Sequence, residues 1–112
     1  MSPDDTVRLR HMIEAIDAPQ QFIHGRSRAD LDSDRMLLFA LVRAVEIVGE
    51  AAGRVSPEGR AQAPELPWAE AIGMRNRLVH AYFDVNRNIL WSTVADALPA
   101  LRAQLQSIPS TD

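Results

Sequence analysis

The chain has no cysteine among its 112 residues, which excludes disulfide staples and thiolate metal sites. It has no lysine either: all twelve basic residues are arginine. A GC-rich coding sequence produces this usage, and we attach no function to it. No apolar run approaches the roughly 20 residues needed to cross a bilayer, and the N-terminus is acidic and polar. Neither a membrane span nor a targeting segment is expected, and a cytoplasmic location is the default. No segment alternates polar and apolar residues as a strand does, and no repeat or low-complexity stretch is present. The net charge of −3 argues against a broad, nonspecific grip on nucleic acid, which needs a large basic surface.

What is present suffices for a core. Hydrophobic residues make up 46% of the chain, too many for a disordered protein. The length fits a single domain over 1–112, because two would each fall below the usual size. So small a domain leaves apolar surface uncovered, which favours self-association.

The patterning is helical throughout. Ser2 is placed to cap a first helix, with Pro3 at its first position and Asp5 in the capping-box position. Leu9, Met12, Ile13 and Ile16 give that helix an apolar face, Pro19 should kink, end or split it, and Gly25 should stop it. Residues 26–33, rich in arginine and aspartate, read as a loop. Ser33 or Asp34 can cap a second helix reaching about Arg54, whose apolar residues run most of the way round. Such a helix is either central or packed against a second subunit. Gly49, Ala51, Ala52 and Gly53 would let another helix approach closely. Ser56–Pro67, with four prolines and glycines, reads as a connecting loop. A third helix should start near Trp68. Asp84 or Asn86 can cap a fourth, along which Val94, Leu98, Leu101, Leu105 and Ile108 step by four and three residues, with Pro99 bending it. The tail, about 107–112, is expected to fray. The expected fold is all-α, a four- to five-helix antiparallel bundle.

The third helix carries the chemistry: Met74-Arg75-Asn76-Arg77-Leu78-Val79-His80-Ala81-Tyr82-Phe83. Histidine is the side chain suited to moving protons near neutral pH. Arginine is a planar, permanently charged phosphate clamp. Arg75, Arg77 and Arg87 against Asp84 alone make a local basic patch on an acidic protein. Together they point to phosphodiester chemistry without a metal or other cofactor. On one continuous helix Asn76 and His80 share a face, as do Arg75 and Tyr82. Arg75 and His80, five apart, are offset by roughly 140°. Either the helix unwinds near His80 or two copies complement each other, which is a reason to expect a dimer. Glu46 and Glu50, four apart on the second helix, can accept from Arg75 or Arg77. His11 and His24 lack metal-ligand spacing and read as surface residues, and Trp68 and Trp91 read as packing anchors.

Arg75-x-x-x-x-His80-x-Tyr82 resembles the R-x-x-x-x-H-x-Y signature of HepT-like toxins in the HEPN ribonuclease superfamily. The likeness covers nearly the whole chain. It takes in Gly49-Glu50-Ala51, Pro67-Trp68, the run from Arg75 to Asn86, Trp91 and Leu98-Pro99. The resemblance implies a homodimer paired with a nucleotidyltransferase antitoxin of the MntA type. It implies metal-independent RNA cleavage that spares DNA: His80 as general base or acid at the ribose 2′-hydroxyl, Arg75 on the phosphate, and Asn76 orienting one or the other. It further implies that the partner transfers AMP from ATP onto Tyr82, silencing the toxin by placing phosphate beside Arg75 and His80. The alternative is a non-catalytic helical dimer that binds nucleotide or the partner enzyme, a reading the net acidity favours. A decayed homologue is a further alternative, and the intact signature argues against it.

Overall fold

The computed structural model describes residues 1–79 and 84–108. Among these the chain forms α1 (Pro3–Phe22), α2 (Asp30–Ser33), α3 (Arg35–Arg54), α4 (Pro57–Ala61), α5 (Trp68–Leu78) and α6 (Arg87–Ser92). A π-helical turn (Thr93–Ala97) then runs into α7 (Leu98–Gln106). The only β feature among the described residues is an isolated antiparallel bridge between Val79 and Val85. No helix among them is long and apolar enough to cross a membrane.

Cap chemistry starts the helices where the sequence places it. Ser2 accepts from the Asp5 amide, Asp34 from that of Leu37 and Asn86 from that of Ile89, each satisfying an otherwise orphaned N–H. Gly25, at φ 73, supplies the left-handed residue just beyond α1. Two local expectations are overturned, and a third in part. Pro19 neither ends nor splits α1, which continues to Phe22 with Pro19 buried. Residues 26–33 are not all loop, because α2 forms there and buries Leu31. Nor is 56–67 all loop: Ser56 accepts from the Gly59 amide and, with Pro57 at the first position, starts α4.

Pairwise contacts fix the topology. Asp5 near the start of α1 accepts from Ser56 just past α3, at 2.8 Å from its amide, so α1 and α3 run antiparallel. Gly49 faces Ile72 and Glu46 reaches Arg75, so α3 and α5 do too. Arg102 pairs with Asp17, and Gln20 donates to the Val94 carbonyl at 2.8 Å, laying α7 antiparallel to α1. The bundle is therefore antiparallel, with α3 in the middle. Its core runs through Met12 and Ile16 of α1, Leu41, Val45 and Val48 of α3, and Leu78, Leu90, Val94 and Leu98 beyond.

Of the four small residues late in α3, Gly49 makes the closest approach. A Cβ there would lie 3.1 Å from the Ile72 carbonyl oxygen and 3.3 Å from that of Ala71. Ala51 and Ala52 are buried, whereas nothing stands within 4 Å of a Cβ at Gly53. Where a bend was expected, the π turn stands directly before Pro99, which lies in the first turn of α7. Ser107 and Ile108 follow α7, with Ile108 packed against the core; residues 109–112 lie outside the described residues.

Candidate functional site

The motif helix stops inside the motif. α5 ends at Leu78, and Val79 is extended at φ −115, ψ 113. Val79 then bridges to Val85, and the Asn86 amide donates to the Leu78 carbonyl at 2.7 Å. Of the two ways to relieve the 140° offset, the chain thus takes the first on its own: the helical register ends before His80. The single continuous helix on which Asn76 would share a face with His80, and Arg75 with Tyr82, therefore does not extend past Leu78. His80 and Tyr82 themselves belong to 80–83, outside the described residues. Both flanks of that segment are fixed by the Val79–Val85 bridge.

The downstream flank is anchored from afar. Arg87 donates to the Leu31 carbonyl at 3.3 Å and lies 3.6 Å from Asp32. Arg28 donates to Asn88 at 2.6 Å and to Asp32 at 2.7 Å. The α2 region therefore holds the start of α6, and with it the Asn86 cap, in place.

Arg75 lies half-exposed on α5, its Nε donating to Glu46 Oε1 of α3 at 3.3 Å. The other Glu46 oxygen accepts from Arg43 Nη1 at 3.4 Å, and the same nitrogen reaches Glu50 at 3.3 Å. Of the two acceptors expected for the motif arginines, Glu46 takes Arg75, whereas Glu50 is engaged by Arg43. The sequence reading missed Arg43, although its spacing of three and seven residues to Glu46 and Glu50 places all three on one face of α3.

The Glu46–Arg75 pair is a ridge between two clefts. One, of about 390 Å³, has Phe39, Val42, Val79 and Val85 as its apolar walls and Arg43 at its edge. The other, of about 340 Å³, is lined by Gly49, Glu50, Ile72 and Asn76. Asn76 and Arg75 therefore share a cleft. Arg77, two residues on and so on the opposite face of α5, lines a separate groove of about 670 Å³ with Glu70 and Asp96, and donates to the Glu70 carbonyl at 3.3 Å. The basic patch expected from Arg75, Arg77 and Arg87 is accordingly divided over three places, and two of its members are paired with carboxylates.

The two outlying histidines and the two tryptophans settle as expected. His11 and His24 are exposed. Trp68 packs against the core and donates to the Ala63 carbonyl at 2.9 Å, and Trp91 packs there too. Among the described residues no group of three His, Asp or Glu side chains is arranged to hold a metal ion.

The model of the family described as ribonuclease HepT-like matches residues 12–108. A protein of Thermococcus cleftensis named a probable ribonuclease HepT is 35% identical over 100 residues, covering 89% of this chain and 91% of its own. A protein of Caldanaerobacter subterraneus subsp. tengcongensis named "Putative RNase" is 36% identical over 100 residues, 89% of each chain. No solved structure matches the chain significantly. On the extent of these matches, which span the bundle and its signature, the chain belongs to the HepT-like ribonuclease family.

Proposed function

We propose that this chain is a metal-independent endoribonuclease, the toxin of a toxin–antitoxin pair, acting as a homodimer. The observation that carries the reading is the break of α5 at Leu78 beside an Arg75 already fixed at the edge of a cleft. An unbroken helix would aim Arg75 and His80 apart. Ending the helix at Leu78, between the two positions, removes that constraint.

In this reading Arg75 binds the scissile phosphate and stabilises the charge that grows on its oxygens. His80 takes the proton from the ribose 2′-hydroxyl, whose oxygen attacks phosphorus. The bond to the 5′-oxygen breaks, that oxygen takes up a proton from solvent or from the imidazolium, and a 2′,3′-cyclic phosphate remains. DNA lacks the nucleophile and is spared. Asn76, in the same cleft as Arg75, is a supporting donor to the phosphate. The match to probable ribonucleases supports RNA as substrate.

Control is assigned to Tyr82, modified with AMP by an MntA-type nucleotidyltransferase, which would set a phosphate against Arg75 and His80 and repel RNA. The dimer is supported by the apolar α3 face next to the cleft, where Met36 is 85% exposed and Phe39 42%.

The test is expression of the chain beside Arg75→Ala and His80→Ala versions, following growth and the RNA ends produced. Wild type should arrest growth and leave 2′,3′-cyclic ends, and each variant should lose at least a hundredfold in cleavage rate. Mass spectrometry after incubation with the nucleotidyltransferase and ATP should place added AMP on Tyr82. Equal behaviour of all three folded proteins would overturn the catalytic reading in favour of a helical dimer that only binds its partner.

A further inference from the structure

We propose that Glu46 of α3 is a positioning residue for catalysis, holding the Arg75 guanidinium by its Nε edge so that the Nη end is presented to the substrate phosphate. The inference rests on the ribonuclease reading and adds a residue from outside the signature.

Three observations carry it. First, an arginine side chain has several rotatable bonds, and Arg75 is half-exposed; left alone, it would sample many orientations. Its Nε donates to Glu46 at 3.3 Å, and among the described residues the two Nη groups have no partner. The nitrogens suited to a phosphate are thus the ones left open.

Second, Glu46 is itself held. Its second oxygen accepts from Arg43 at 3.4 Å, and Arg43 is tied in turn to Glu50. A carboxylate fixed from both sides is a stiffer guide than one on a free stem. Arg43 also offsets a charge that would otherwise cancel that of Arg75 at the phosphate site.

Third, the backbones that carry the pair are locked at close range. One turn along α3, Gly49 brings that helix against the Ile72 carbonyl, where even a Cβ would stand only 3.1 Å away. The distance Glu46 must span to Arg75 is therefore set by backbone packing and not by the reach of two flexible side chains.

This assignment predicts a sign that a structural or substrate-binding role does not. Removing Glu46 deletes a negative charge beside the phosphate site, so RNA should bind as tightly as before or more tightly. Disordering Arg75 should still slow the chemical step, by about ten- to a hundredfold, the range for lost outer-shell support and misplaced groups. Glu46→Ala and Glu46→Met, the second similar in length but without an acceptor, should both show this fall in kcat. Glu46→Gln retains a carbonyl oxygen for the Nε–H and should recover kcat to within severalfold of wild type.

The experiment measures kcat on a short single-stranded RNA for the three Glu46 variants, and the Kd of the same RNA in a His80→Ala background. Folding is checked by circular dichroism and melting. A lower kcat for Ala and Met, recovery by Gln and an undiminished affinity establish the role. Wild-type kcat in Glu46→Ala, or parallel losses of kcat and affinity in all three, overturn it. Arg75→Ala and His80→Ala run alongside as controls. If they cleave like wild type, the ribonuclease reading itself fails; if they are dead and the Glu46 variants are not, only the positioning role fails.

Discussion

Asp5 is only 4% exposed, and burying a carboxylate is costly unless donors replace the lost water. Ser56 supplies two, its hydroxyl at 2.5 Å and its amide at 2.8 Å. Asp5 thus does more than its position three residues after Ser2 suggested: its amide donates to the Ser2 hydroxyl at 3.1 Å while its carboxylate reaches another helix. It ties the start of α1 to the end of α3. Gly59 completes the fit, because a Cβ there would stand 2.5 Å from the Asp5 carboxylate. The Ser56 hydroxyl, then the Ser56 amide, hold the Asp5 carboxyl below its ordinary pKa of about 3.8. A carboxyl with a lowered pKa in the folded state contributes stability above its unfolded pKa and loses it as pH falls through the folded value. Asp5→Asn should cost about 1–3 kcal/mol at neutral pH. Below about pH 4 the wild type should lose melting temperature faster than the variant, so that the two curves converge. The Asp17 carboxyl, lowered chiefly by Arg102, titrates in the same sense but is present in both proteins. Parallel curves down to pH 2.5 would show that the Asp5 carboxylate has no such role.

At the scale of elements, prolines separate what local rules reveal from what they miss. Ser2, Asp34 and Asn86 could be read as caps because each acts on an amide three residues away. The end of α5 could be foreseen only as one of two ways out of a geometric conflict. The α4 turn was legible in Ser56-Pro57, a cap followed by proline at the first position, yet the surrounding Pro and Gly suggested a loop. Pro99 was read as a bend, but its accommodation depends on a residue 79 positions away in sequence. Leu98 donates to the Thr93 carbonyl, five residues back, and Pro99 has no N–H to offer. The Val94 carbonyl is thereby deprived of both helical donors, and Gln20 of α1 supplies one at 2.8 Å. Such a partner is invisible to periodicity, because it exists only once α1 and α7 are packed. Gln20→Ala should therefore cost about 1 kcal/mol, read as a lower urea midpoint at unchanged m-value. In a Pro99→Ala background the same change should cost less, because a backbone N–H then becomes available to the helix. Equal costs in both backgrounds would separate Gln20 from the π turn.

For the whole molecule, dimensions decide what α3 can bury. The principal extents are 44 × 29 × 20 Å, and helices with side chains are about 10 Å across, so the bundle is two layers thick in its thin direction. A central helix in two layers is covered by α1 and α5 but keeps one face open. The sequence pattern, apolar most of the way round α3, left open whether that helix was central or faced a second subunit; here both uses are compatible. Leu41, Val45 and Val48 are sealed in the core, whereas Met36 and Phe39 remain outside and Val42 half-buried. Phe39 carries Arg35 over its ring at 5.6 Å, and together with Val42, Val79 and Val85 it walls the cleft beside Arg75. An interface built on this face would set the two Arg75-bearing clefts near one another, which joins oligomerisation to activity. If the proposed dimer uses this face, Met36→Asp with Phe39→Asp should yield a monomer in analytical ultracentrifugation where the unaltered chain is dimeric. The helical content should be unchanged, since neither side chain is in the core. Any fall in melting temperature should be no more than the lost association accounts for, and RNA cleavage should fall at least tenfold at protein concentrations where the wild type is dimeric. A variant that stays dimeric would place the interface elsewhere on the bundle. One that is monomeric yet fully active would show that each chain carries a complete site.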